Sequence, residues 1–139
     1  MAANTNPVFP LTAHITTVKI STANTTTASV AVGSLTGGVQ IFVAGTNGSR
    51  LDAIQCKAEV TTAAGMIRIW QSDGTTAWLF DEYPTGAVTP SGTVQTAQVG
   101  QIYDPSFGRP QIVLQSGHSF YATTNNAEAW DVTAIGGDY

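Results

Sequence analysis

The chain has 139 residues, of which 42% are hydrophobic but only 10% charged, with five Lys and Arg against nine Asp and Glu for a formal net charge of −4. The length fits one domain, and the charged fraction lies well below the roughly 25% of an average domain, which disfavours long helices with a wet, charged face. Five cations cannot coat a phosphate backbone, one cysteine (Cys56) excludes an internal disulfide or a Cys-rich zinc site, and no apolar run approaches the roughly 20 residues of a membrane span, so nucleic acid, structural zinc and membrane are set aside as partners.

Residues 1–13 are polar around Val8-Phe9, with Pro7 and Pro10, and are read as an extended N-terminal arm whose Val8, Phe9 and Leu11 need a surface to pack on. The first residues carry no basic n-region and no apolar h-region, which argues against a secretory signal and for synthesis in a cytoplasm. His14 to Ile20 alternates crudely and predicts a strand. Residues 21–26 are a polar loop, Thr27 to Val32 a second strand, and Val39 to Ala44 a third. Asn47-Gly48 then marks a tight turn.

Arg50 to Val60 alternates well, with Leu51, Ile54, Cys56, Ala58 and Val60 on one side and a phase shift between Ala53 and Ile54 that a β-bulge would absorb. Met66 to Gln71 sets Ile67 and Ile69 against Trp70 and the stem of Arg68. Ser72-Asp73-Gly74 turns into Thr75 to Tyr83, so that residues 50–83 read as a three-stranded meander. Residues 84–110 are broken by four prolines and four glycines. A connection of that length inside a small domain is often functional. Thr93 to Val99 is a strand candidate within it. Gln111 to Leu114, His118 to Thr123 and Glu128 to Ile135 are the last three strands, the final one with Trp130, Val132 and Ala134 on one face.

No segment keeps a 3.6-residue apolar period for three turns. The prediction is all-β: a β-sandwich, jelly-roll-like, of about eight short antiparallel strands at residues 14–139, with the arm at 1–13 and one long irregular loop.

Catalytic patterns are weak. There is no phosphate loop, and Gly37-Gly38 and Gly136-Gly137 sit where turns would need them. His118 and Ser119 are adjacent, so on a strand they face apart. Asp81 and Glu82 do the same, Asp73 belongs to a turn, and Cys56 reads as a small buried residue. No enzyme, cofactor, metal or small-molecule substrate is expected. A carbohydrate-binding module is the competing class, with Trp70, Trp78, Tyr83 and Tyr121 as candidate platform residues.

The turn and strand signatures Gly45-Thr46-Asn47-Gly48-Ser49-Arg50-Leu51-Asp52, Ala64-Gly65-Met66-Ile67-Arg68-Ile69-Trp70, residues 121–132 and Gly136-Gly137-Asp138-Tyr139 together resemble small structural proteins of tailed-bacteriophage heads, the head decoration (cement) proteins. The similarity covers residues 40–83 and 112–139 best. It implies a jelly-roll-like sandwich on the outside of a virion, a homotrimer that clamps neighbouring major capsid subunits. A tail, neck or fibre component, or a receptor-binding module, is the alternative. The expected partner contacts are Val8, Phe9 and Leu11 in the arm and Val88, Val94, Ile102, Tyr103, Phe107 and Arg109 in the loop: apolar and aromatic groups, with one arginine, in segments that are not ordinary strands.

Overall fold

A computed structural model describes residues 9–139, and over them the chain is all-β with no α-helix. The strands in chain order are β1 (Thr12–Ile20), β2 (Val30–Ala31), β3 (Val39–Val43), β4 (Ser49–Ala58), β5 (Gly65–Ser72), β6 (Thr76–Thr85), β7 (Gln98–Ile102), β8 (Ile112–Leu114), β9 (Ser119–Thr124) and β10 (Trp130–Asp138). Ten strands are seen rather than about eight: the second predicted strand persists as only two residues, and the candidate at Thr93 to Val99 lies instead at Gln98–Ile102.

Two five-stranded antiparallel sheets form a β-sandwich. Sheet A has the order β1-β10-β4, with β7 and β8 sharing the far side of β4: β7 pairs Ala53 to Lys57 and β8 pairs Ser49 to Leu51. Sheet B has the order β2-β6-β5-β9-β3. The apolar faces of the two sheets close on each other. On β10, Trp130, Val132 and Ala134 are fully buried, and their register partners on β4 are Ala58, Cys56 and Ile54. Trp130 therefore stands beside a small residue and Ala134 beside a large one, as close packing requires. Sheet B supplies Ile67, Ile69, Phe120, Ala122, Ile41 and Phe42 to the same core.

The β4 bulge falls at Asp52. Ala53 pairs with Ile135 and Leu51 with Gly136, which leaves Asp52 without a partner on β10. Its carbonyl instead accepts the Tyr103 N–H at 2.7 Å. The extra residue lets Leu51 and Ile54 both point inward, as the phase shift required.

Four local expectations differ from what is seen. Residues 50–83 are not one meander: β5 and β6 form a hairpin in sheet B, but β4 lies in sheet A, and residues 59–64 carry the chain across. Leu51, Ile54 and Cys56 bury their side by facing Ile67 and Ile69 across the core, which a neighbouring strand in the same sheet could not do. The strand predicted at Thr27 to Val32 keeps only Val30–Ala31. A 3-10 turn at Val32–Ser34 then folds Val30, Val32 and Leu35 over the outer side of sheet B, onto Trp70 and Ala77. Gly136 and Gly137 lie within β10 rather than in a turn. On β1, the inward residues are His14, Thr16, Val18 and Ile20, so Ile15 points to solvent.

Candidate docking surfaces

Val8 lies outside the described residues. Phe9 and Leu11 are 67% and 87% exposed, although the backbone beside them is held: the Leu11 N–H donates to the Asp138 carbonyl at 2.7 Å. Pro10 rests against Gly137, where even a Cβ would come within 2.5 Å of the proline ring.

The long loop is pinned at three places. Val88 exchanges backbone hydrogen bonds with Thr62 (2.9 and 3.1 Å), and its side chain packs against the main core. Tyr103 is only 2% exposed, and its hydroxyl meets that of Tyr83 at 2.5 Å and donates to Asp81 Oδ2 at 3.3 Å. Arg109 Nη1 donates to the same carboxylate oxygen at 3.4 Å. Burial raises the pKa of both tyrosines, so the pair stays protonated as a neutral tie between β6 and the end of β7. Tyr103 is therefore withdrawn as a partner contact, and Val88 is largely spent on its own domain. Val94 and Ile102 are about half exposed. Phe107, 67% exposed, sits on a 3-10 turn (Pro105–Phe107) that is fixed at both ends: Asp104 Oδ1 accepts the Ser106 N–H at 2.7 Å, and Gly108 takes φ 73°. Phe9, Leu11, Val94 and Phe107 are thus apolar groups held in water by ordered backbone.

A further surface joins Ile102, one of the expected contacts, to three residues outside that set. On the outer side of sheet A, four residues stand as direct cross-strand partners: Ile15 with Ile135, Ile135 with Ala53, and Ala53 with Ile102. All four are at least partly exposed, Ile15 by 65% and Ile102 by 49%. Neighbours in such a row lie about 4.5–5.5 Å apart at Cβ. The small Ala53 and Gly100 leave a shallow groove of about 630 Å³ between Ile135 and Ile102. Gly100 has to be glycine, since a Cβ there would overlap the Ile54 carbonyl oxygen.

The clusters that could do chemistry are structural ties. Asp138 accepts from the Ser49 hydroxyl and lies 3.1 Å from His14 Nδ1, while Ser49 Oγ accepts the Gly45 N–H at 2.8 Å. The Ser49 bond, then the His14 contact, hold the Asp138 carboxyl below its ordinary range. The carboxylate occupies the middle position, whereas nucleophilic catalysis needs the histidine between serine and carboxylate. His14 is instead stacked on Phe42, with ring centroids 4.4 Å apart. Arg68 holds Glu82 at 2.9 Å and the Asn24 carbonyl at 3.0 Å. Among the described residues no group of three or more His, Cys, Asp or Glu is placed to hold a metal ion. Of the aromatic platform candidates, Trp70 and Tyr83 are buried and only Trp78 and Tyr121 reach solvent.

Cys56 is fully buried, and desolvation pushes its thiol up to about 12. Thiol reagents need the thiolate and access to it. At pH 8 the native protein should therefore leave a disulfide-exchange reagent unreacted, and denaturant should release one equivalent of thiol. Rapid native-state labelling would show that β4 opens at Cys56.

Compared with known proteins, the chain matches no family model and no curated protein.

Proposed function

We propose that this chain is a structural, non-enzymatic virion protein that binds the outside of a tailed-phage capsid and stabilises the shell by bridging neighbouring major capsid subunits. The observation that carries this reading is the set Phe9, Leu11, Val94 and Phe107: exposed apolar side chains on fixed backbone, at the arm and along the long loop. Burying each against a partner is worth about 1.5–3 kcal/mol, before the losses of association. Low charge supports the same use, because few ions leave water when the surface is covered. Contacts made at several points on one particle reinforce one another, since the first makes the next intramolecular.

Strand order supports the jelly-roll part of the reading. The pairs β1–β10, β3–β9, β4 with β7 and β8, and β5–β6 nest one inside another along the chain. That nesting is what results when one long antiparallel hairpin is wrapped into two sheets, as in a jelly roll. The scaffold pairs Thr12 with Asp138, so Phe9 and Leu11 stand exposed beside the last strand.

The test is co-sedimentation with expanded empty capsids that lack the protein. The full chain should pellet with them. A variant beginning at Thr12 should keep its unfolding midpoint within a few degrees and bind at least about tenfold more weakly, the equivalent of roughly 1.4 kcal/mol. Equal binding by the truncated chain would remove the arm from the contact. Failure of the full chain to pellet, with retention on tail particles or on a glycan array, would replace the capsid reading by one of its alternatives.

A further inference from the structure

We propose that the outer face of sheet A docks on the same face of a second copy of this chain, giving a two-fold dimer. The inference is independent of what particle the protein joins, and it stands in place of the homotrimer that the resemblance implies.

The two outer faces of the sandwich are treated differently by the sequence. On sheet B, residues 30–35 fold back and cover Trp70, Ala77 and Leu79. On sheet A, the row Ile15, Ile135, Ala53 and Ile102 crosses all four strand positions and stays open. Isolated exposed apolar residues are ordinary, but a contiguous row across a sheet marks a contact surface.

Charge points to a second copy as the occupant. The outer face of sheet A carries Lys19, Arg50 and Lys57 against Asp52, Glu59 and Asp131. These groups are already matched: Lys19 Nζ lies 2.6 Å from Glu59 Oε2, Arg50 Nε lies 2.6 Å from Asp52 Oδ1, and Lys57 is the register partner of Asp131. Three cations and three anions cancel across the face, and of the remaining carboxylates Asp104 is close enough to Arg50 to act on its charge. Two copies meeting through this face therefore bring little like charge together.

Shape agrees. A two-fold contact must be complementary to itself. This face carries both an exposed side chain, Ile15, and an open groove over Ala53 and Gly100. Four strands abreast at about 4.8 Å and a nine-residue strand at about 3.4 Å per residue give a footprint of about 19 by 30 Å, before side-chain relief is added. That approaches the roughly 800 Å² per partner of a specific interface.

Sedimentation equilibrium on the intact protein at micromolar concentration tests this. The wild type should show twice the 14.5 kDa chain mass. Ile15→Lys combined with Ile102→Lys should raise the dissociation constant at least a hundredfold, with the far-UV circular dichroism unchanged. Ala53→Arg, which fills the groove without touching the core, should do the same. Phe107→Lys, outside the cross-strand row, should leave the dimer intact. A monomeric wild type, a trimer, or a dimer kept by both Ala53→Arg and the double lysine variant would overturn the proposal.

Discussion

Gly136→Ala should lower the midpoint of thermal unfolding by about 10 °C or more. Gly136 lies inside β10, opposite Leu51, next to the β4 bulge. A Cβ at this position would overlap the Arg50 carbonyl oxygen and come within 3.0 Å of Phe42 Cζ. Neither can move freely: the carbonyl belongs to the central strand of sheet A, and Phe42 is 1% exposed and stacked on His14. Overpacking of this kind costs about 1–3 kcal/mol, and a backbone obstacle places it at the upper end. For a domain of this size each kcal/mol moves the midpoint by about 4 °C. The adjacent glycine is the control. At Gly137 the added carbon overlaps only the Pro10 ring, which belongs to the arm, and lies a tight but tolerable 3.1 Å from the Thr12 carbonyl oxygen. Gly137→Ala should therefore lose less than a third as much. Calorimetry on the two variants checks the difference, and equal losses would mean that the β10–β4 pair has room the packing does not show.

What could be read from the sequence was set by how locally each feature is encoded. The β5–β6 hairpin was legible because Ile67 and Ile69 alternate with Arg68 and Trp70 up to a Ser-Asp-Gly turn whose Asp73 carboxylate does accept the Thr75 and Thr76 N–H groups. The last strand was legible because Trp130, Val132 and Ala134 keep a strict period of two. Which strands pair was not, because β1 finds its partner in sheet A more than 100 residues away. An alternating segment specifies a face, not a neighbour, which is why β4 was joined to the wrong sheet.

The candidate contacts divide on the same principle. An aromatic in an irregular segment signals only that it needs burial, and Tyr103 finds it beside Tyr83 in its own core while Phe107 does not. The apolar row on sheet A left a trace that could have been followed. Ile15 is out of phase with Val18 and Ile20, and Ile135 is out of phase with Val132 and Ala134. Two isoleucines on the wet side of two strands are a weak signal singly. Their alignment appears only once the β1–β10 register is known.

The tryptophans should separate hydrogen bonding from packing in this core. Trp70 and Trp130 are both fully buried, so Trp→Ala at either site should cost about 3–5 kcal/mol, a loss of more than 10 °C in the unfolding midpoint. The phenylalanine variants should differ. Trp70 Nε1 donates to Thr123 Oγ1 at 3.0 Å, and Thr123 is itself fully buried. Trp70→Phe leaves that hydroxyl without its donor in a dry site, which adds about 1–3 kcal/mol to the loss of volume. Trp130 Nε1 has no acceptor among the described residues, so a phenylalanine there breaks no hydrogen bond to the described protein and loses volume alone. Urea unfolding should therefore rank Trp70→Phe as the more damaging change by at least about 1 kcal/mol. The reverse order would mean that the indole of Trp130 anchors the β10 end of sheet A through a bond, and that packing against Ala58 and Ile20 is the smaller part of its role.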